Sequence, residues 1–341
     1  MRTVNHAARV PPPVRDCPAA GILFLCTGAF VFSLQDVVIK WISGAYPVSQ
    51  VLAVRSVVAF APILLLLHLE GGLAGLRSRR LGLLLFRGAL LFLSYTAYYL
   101  AVAAIPLAEA VSLFYSAPLF IAALSVQLLR EGVAPRQWAA VLFGFLGVLV
   151  ICRPGFGLLD PAAFLALLSA AVYAGGAVAS RDLGRTEPAS VMTFYHNAVN
   201  LSAALLIGLV VGDGAHATGG HASAQFLLRA WVLPSGRDLV VIASTGLVAA
   251  LGSWCLSNAY RVAPANVVAP FEYSAITWAV LWGFLFWGEV PSAAVVLGMA
   301  MIVGAGVWVV RAVGGGATLP GAAPESGSCP NPDGVGNWPR A

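Results

Sequence analysis

Residues 106–131 read PLAEAVSLFYSAPLFIAALSVQLLRE, and residues 264–289 read PANVVAPFEYSAITWAVLWGFLFWGE. Both stretches begin with proline, Pro106 and Pro264. Both carry Tyr-Ser-Ala at the same place, Tyr115-Ser116-Ala117 and Tyr273-Ser274-Ala275, and both end on glutamate, Glu131 and Glu289. The register is ungapped at an offset of 158 residues. Between these marks the chain is apolar over 107–129 and 265–287. That is enough for a helix to cross a hydrocarbon core about 30 Å thick. The two stretches are read as matching membrane helices, one in each half of the chain.

The match extends outward. Earlier in each half the offset is 141: Pro47 falls on Pro188, Ser49 on Ser190, and Arg55 on His196. The offset grows because the second half carries a long connection, 213–238. Eight more apolar windows lie at about 20–43, 48–69, 82–104, 136–152, 161–180, 189–212, 239–260 and 292–312. Prolines at their boundaries suit helix starts. Five helices per half is an odd number, so matching helices must enter the membrane from opposite sides. The expected fold is an all-α polytopic membrane protein of ten transmembrane helices, built as two inverted five-helix repeats. Residues 1–19 form an N-terminal tail, 20–152 the first repeat, 161–312 the second, and 313–341 a Gly- and Pro-rich tail read as disordered.

Composition agrees. Of 341 residues, 60% are hydrophobic and only 10% charged, against about a quarter charged in soluble domains. The net charge of +5 is distributed as membrane orientation requires, with no basic patch interleaved with aromatics, so nucleic acid is not an expected partner. With the N-terminus placed inside, thirteen of the 19 basic residues fall in inside loops and tails. Three (Arg153, Arg229, Arg237) fall outside, and Lys40, Arg55 and Arg87 lie within helices. This bias puts both termini in the cytoplasm. The five cysteines show no metal-ligand spacing, and no metal or cofactor is expected.

The run from Pro106 to Phe120, then Leu128-Leu-Arg-Glu-Gly132 and Gly144-Phe-Leu-Gly-Val148, resembles the EamA-type transporters of the drug/metabolite transporter superfamily. The second half repeats the pattern at Ala269-Pro-Phe-Glu-Tyr-Ser274, Gly288-Glu-Val290 and Gly304-Ala-Gly-Val307. The resemblance covers residues 20–312. It implies a ten-helix carrier of organic solutes in the bacterial inner membrane, with a central cavity lined by the first four helices of each half. The family handles amino acids, nucleotide-like metabolites, vitamins and drugs. It contains exporters and importers, so no direction is implied.

Ionisable side chains at membrane depth are costly unless paired or hydrated, and each is a functional candidate. Ser33, Asp36 and Lys40 share one face of the first helix. Asp36 and Lys40, four apart, are placed to form an ion pair. With Arg55 they read either as a neutralising network or as the border of the outer cavity. The third helix carries Arg87, Ser94 and Tyr98 on one face, with Tyr95 and Tyr99 beside it. Glu109, near the start of the fourth, reads as a carboxylate favoured by the helix dipole. In the second half, Thr193, His196, Asn197 and Asn200 form one stripe and Trp254, Asn258 and Arg261 another. Glu272 has no basic neighbour in sequence, so it is the proton-coupling candidate, unless it pairs across the bundle with Arg55 or Arg87. Glu131 and Glu289 read as structural loop carboxylates. The Gly-rich fifth and tenth helices suit close packing or a homodimer contact.

The function expected is secondary transport of a small organic solute by alternating access, coupled to protons or to exchange. Asp36, Lys40, Arg55, Tyr98, Tyr99, Tyr115, His196, Trp254, Asn258 and Tyr273 are the candidate solute-binding residues. Their mixed charges and rings suit a zwitterionic or anionic solute with a flat or partly apolar group. No nucleotide-binding motif points to ATP coupling. The alternative is an intramembrane transferase-type enzyme, for which no GxSxG, HExxH or acidic-pair motif is present. A membrane receptor or scaffold is the third class.

Overall fold

A computed structural model describes residues 17–70, 76–124, 135–152, 160–217, 220–268, 271–272 and 274–314. Tyr273, Glu131 and most of both tails lie outside the described residues. Six described helices are long and apolar enough to cross a membrane. They are α1 (Pro18–Ile42), α2 (Val48–Leu69), α3 (Leu81–Val102), α7 (Pro161–Leu183), α8 (Ala189–Val211) and α10 (Gly236–Val262). Among the described residues there is no strand.

The two stretches read first in the sequence are not single helices. The first divides into α4 (Leu107–Phe114) and α5 (Ala117–Leu124), and the second into α11 (Ala265–Val268) and α12 (Ser274–Trp287). Proline explains the first division. Pro118 has no N–H to give the Phe114 carbonyl four residues back, so the ladder stops there. In the second half Pro270 likewise cannot donate. Residues 271–272 are wound as 3₁₀ rather than α-helix ahead of α12. The register puts Phe114 and Glu272 at equivalent positions, each beside a break.

The fifth apolar window of each half is α6 (Pro135–Cys152) and α13 (Ala293–Gly314). The long connection of the second half is not all loop, because α9 (Ala222–Leu228) forms within it.

Packing crosses between the halves. α1 lies on α10 and α3 on α7; α2 lies on α8 and α6 on α13. α4 and α5 lie on α7, as α11 and α12 lie on α1. Exchanging the halves turns each of these contacts into itself or its counterpart. Small residues permit the closest approaches. A Cβ at Gly147 would lie 2.8 Å from the Gly298 carbonyl oxygen of α13, and one at Gly246 would lie 2.6 Å from the Arg55 carbonyl oxygen.

Both ends of the bundle are tied. At the end where α1 finishes, Gln50 exchanges hydrogen bonds with the Val232 backbone, and the Trp231 indole donates to Ser49 at 2.9 Å. Arg229 donates to the Ser43 carbonyl at 3.0 Å, and Ser223 of α9 to the Leu100 carbonyl at 2.6 Å. The long connection is therefore a strap across this end. At the opposite end Arg80 pairs with Asp182. Glu70 accepts from the Ser190 backbone at 3.0 Å and from the Trp254 indole at 2.6 Å.

Gly246→Ala forces its methyl onto the α2 backbone, where nothing can rotate away. We expect a loss of about 1–3 kcal/mol, a fall in melting temperature of roughly 5 °C in detergent. Gly82→Ala, with nothing within 4 Å of the new methyl, is expected to hold or slightly raise it. Equal melting of the two variants would contradict this packing.

Candidate functional site

A cavity lies between the halves. α1 supplies Leu25, Ala29, Phe32 and Asp36; α3 supplies Tyr95, Tyr98 and Tyr99. Phe114 and Tyr115 come from the break after α4, and Glu272 from the break before α12. Tyr173 of α7 and Leu256 of α10 complete the wall. The two helix breaks thus meet at one cavity, each turning a side chain into it. Broken helices at midplane sites are a recurring device in transporters, because unwound backbone is tolerated only where it lines a cavity.

The lining is aromatic with two carboxylates. Phe114 packs against Tyr98 at 4.9 Å between ring centroids and against Tyr173 at 5.3 Å. Asp36 accepts from the Tyr98 hydroxyl at 2.9 Å. Glu272, 3% exposed, accepts from the Tyr173 hydroxyl at 2.7 Å and from the Tyr260 hydroxyl. Both bonds go to Oε1, and Oε2 is buried without a partner. Neither acid forms an ion pair among the described residues.

This corrects two expectations. Asp36 and Lys40 do not pair. Lys40 reaches Glu289 at 2.5 Å and stacks over the Trp287 ring at 5.2 Å. Glu289 Oε2 also accepts from the Leu107 N–H at 3.0 Å, so it caps α4 as well as neutralising Lys40. It is more than a loop carboxylate. Sequence spacing allowed the pair on α1, but the carboxylate folded back after α12 lies closer. Nor does Glu272 pair with Arg55 or Arg87. Arg55 donates to the Tyr99 hydroxyl at 2.9 Å, and Arg87 donates to Ser180, the Met192 carbonyl and Ser257.

Of the candidate solute-binding residues, Asp36, Tyr98, Tyr99 and Tyr115 line the cavity with Glu272. Arg55 and His196 line a smaller neighbouring cavity. Lys40, Trp254 and Asn258 line neither. Trp254 is committed to Glu70, and the Asn258 amide donates to the Trp254 carbonyl at 3.2 Å. Tyr273 is outside the described residues. Sequence reasoning missed Tyr173 and Tyr260, the two partners of Glu272. A signal for Tyr173 existed: at the offset of 141 it falls on Phe32, so an aromatic recurs at one place in the first helix of each half.

Comparison with known proteins shows the family. The model of the EamA-like transporter family matches residues 19–153 and again 160–311. A pseudopaline exporter of Pseudomonas aeruginosa is 30% identical over 292 residues, 85% of this chain and 95% of that one. A riboflavin transporter of Rhizobium johnstonii is 28% identical over 312 residues, 91% of this chain and 97% of that one. An S-adenosylmethionine uptake transporter of Rickettsia prowazekii is 22% identical over 291 residues, 85% and 92% of the two chains. A solved crystal structure, 20% identical, superposes with a TM-score of 0.66 over 87% of this chain and 99% of its own, a likeness of fold.

The Lys40–Glu289 pair is largely shielded from water, so breaking it should cost about 1–3 kcal/mol. In a double-mutant cycle of thermal melting, Lys40→Met with Glu289→Gln should lose less than the sum of the single losses. Strict additivity would show that the two side chains do not interact.

Proposed function

The chain belongs to the EamA-like transporter family of the drug/metabolite transporter superfamily, and from that premise we propose how it works. It is a multi-pass membrane protein that moves a small organic metabolite. Our reading of its mechanism is alternating access around the aromatic cavity. The observation that carries the reading is Glu272, a carboxylate sunk between the halves, held only by neutral tyrosine hydroxyls, with one oxygen unpartnered.

A charged carboxylate without a cation is disfavoured at membrane depth. Proton uptake, or a cationic group of the solute, would relieve it. Either event would couple occupancy to the conformation of the two breaks that meet at the cavity. Asp36, hydrogen-bonded to Tyr98, offers a second acidic group on the same wall. The surrounding rings supply flat apolar surface for the rest of the solute. A zwitterionic solute with a flat or partly apolar portion fits this lining.

We take the chain to cross a bacterial inner membrane ten times, as five helices plus five inserted oppositely, over 20–152 and 161–312. Both termini lie in the cytoplasm in this reading. The exposed apolar faces of α6 and α13 then meet lipid or a second copy of the chain. Relatives that carry pseudopaline, riboflavin and S-adenosylmethionine support an organic solute and agree on no single one. Their transport names, and the absence of a catalytic motif in the sequence, leave the transferase alternative without support.

The test is flux in proteoliposomes. A metabolite screen should yield a solute that accumulates under an imposed proton gradient or exchanges against itself. Glu272→Gln should remove the response to the proton gradient while leaving exchange within about tenfold of the parent. An unchanged pH dependence in the variant would remove Glu272 from the coupling step.

A further inference from the structure

Behind the main cavity lie two smaller ones, and Tyr95 is a wall of all three. One of them is narrow and is lined by Arg55, Thr193, His196, Asn197 and Asn200, with Tyr95 and Phe32 on the side shared with the main cavity. No Asp or Glu lines it among the described residues. Arg55 is 3% exposed. Its Nη1 donates to the Tyr99 hydroxyl, and turning the Gln35 amide over brings the amide oxygen to 3.2 Å as a second acceptor, while Nε is buried without a partner.

Arg87 shows what a structural arginine looks like in the same bundle. Its Nε, Nη1 and Nη2 donate to Ser180 (2.6 Å), the Met192 carbonyl (3.0 Å) and Ser257 (3.1 Å), so it ties α3 to α7, α8 and α10. Arg55 is not saturated in that way: beyond its bond to Tyr99 the guanidinium lies over the Tyr99 ring, 5.8 Å from the centroid. It lines a cavity whose other polar groups are also incompletely used. The Asn200 amide nitrogen faces His196 Nε2 at 2.9 Å, and Asn200 Oδ1 has no partner. A guanidinium left without an anion inside a membrane protein is costly. Its planar fork matches a carboxylate.

We propose that this second cavity is an oxyanion subsite. It takes a carboxylate of the solute, with Arg55 as the charged donor and Asn200 and His196 as neutral polar neighbours. The remainder of the solute reaches past Tyr95 into the main cavity. The substrate class then narrows to carboxylate-bearing solutes. Acids stand on one side of Tyr95 and the unsaturated cation on the other, so an amino-carboxylate meets complementary charge at both ends. This inference rests on the reading of the main cavity as the transport site.

The experiment uses the purified full-length chain in detergent, melted with 5-aminopentanoate or with 5-aminopentanamide at equal concentration and matched ionic strength. The amide keeps the shape and the ammonium group and loses the carboxylate charge. 5-Aminopentanoate should raise the melting temperature by about 3 °C more than its amide. Arg55→Gln should need roughly tenfold more 5-aminopentanoate for the same shift. If that variant does not fold, Arg55→Lys, which keeps the charge and loses the fork, should show a severalfold weaker response. Equal responses of the parent protein to the two compounds would overturn the subsite, as would an undiminished preference for 5-aminopentanoate in the Arg55 variants. No flux is read, so such a result removes the subsite and leaves the transport reading to its own assay.

Discussion

A charge inside a lipid-solvated bundle must find either an opposite charge or enough hydrogen bonds, and the interior of this protein is arranged around which charges get which. Lys40 and Glu289 neutralise one another at one end of the bundle. Asp36, Glu272, Arg55 and Arg87 have no ionic partner among the described residues and are held by hydroxyls, an amide and a carbonyl. Neutral partners moderate the cost without cancelling it. That leaves Glu272 and Arg55, each on a cavity wall and each with a buried unpartnered atom. A chain selected only to pack would place apolar residues there, because replacing buried charges by hydrophobic groups is often neutral or stabilising.

The backbone serves the same end. Pro118 stops α4 so that Phe114 and Tyr115 enter the cavity wall, and the equivalent interruption before α12 delivers Glu272. The halves differ chemically at that shared position, one presenting a ring and the other an acid. They keep the same packing partners, helix for helix. A scaffold with this exchange symmetry can hold a chemically asymmetric site. Ties hold both ends of the bundle, and α9, within the strap at one end, has no equivalent helix among the described residues of the first half.

Much of the fold was legible because it depends on periodic and repeated features. The two offsets, 141 and 158, aligned the halves, and the apolar windows matched the long helices to within a few residues. The breaks were less legible, since hydropathy stays high through Tyr115 and Ser116, although Pro118 and Pro270 marked them. At the site, residues on the cavity wall such as Asp36, Tyr98 and Glu272 were legible as polar groups in apolar runs. Their partners were not. Lys40 finds Glu289, 249 positions away, and Glu272 finds Tyr173, 99 positions away. Spacing along one helix says nothing about such pairs, because the crossing of α1 with α12 and of α7 with the second break decides them.

The central claim is that one cavity, shared by both halves, opens alternately to the two sides of the membrane. Ala29, small and buried on the cavity wall, is the place to measure it. A single cysteine there, Ala29→Cys in a background without the native cysteines, would be exposed to a membrane-impermeant thiol reagent in right-side-out and inverted vesicles. The account predicts labelling from both sides, with saturating solute changing the two rates in opposite directions. Labelling from one side only, whatever the solute, would contradict it.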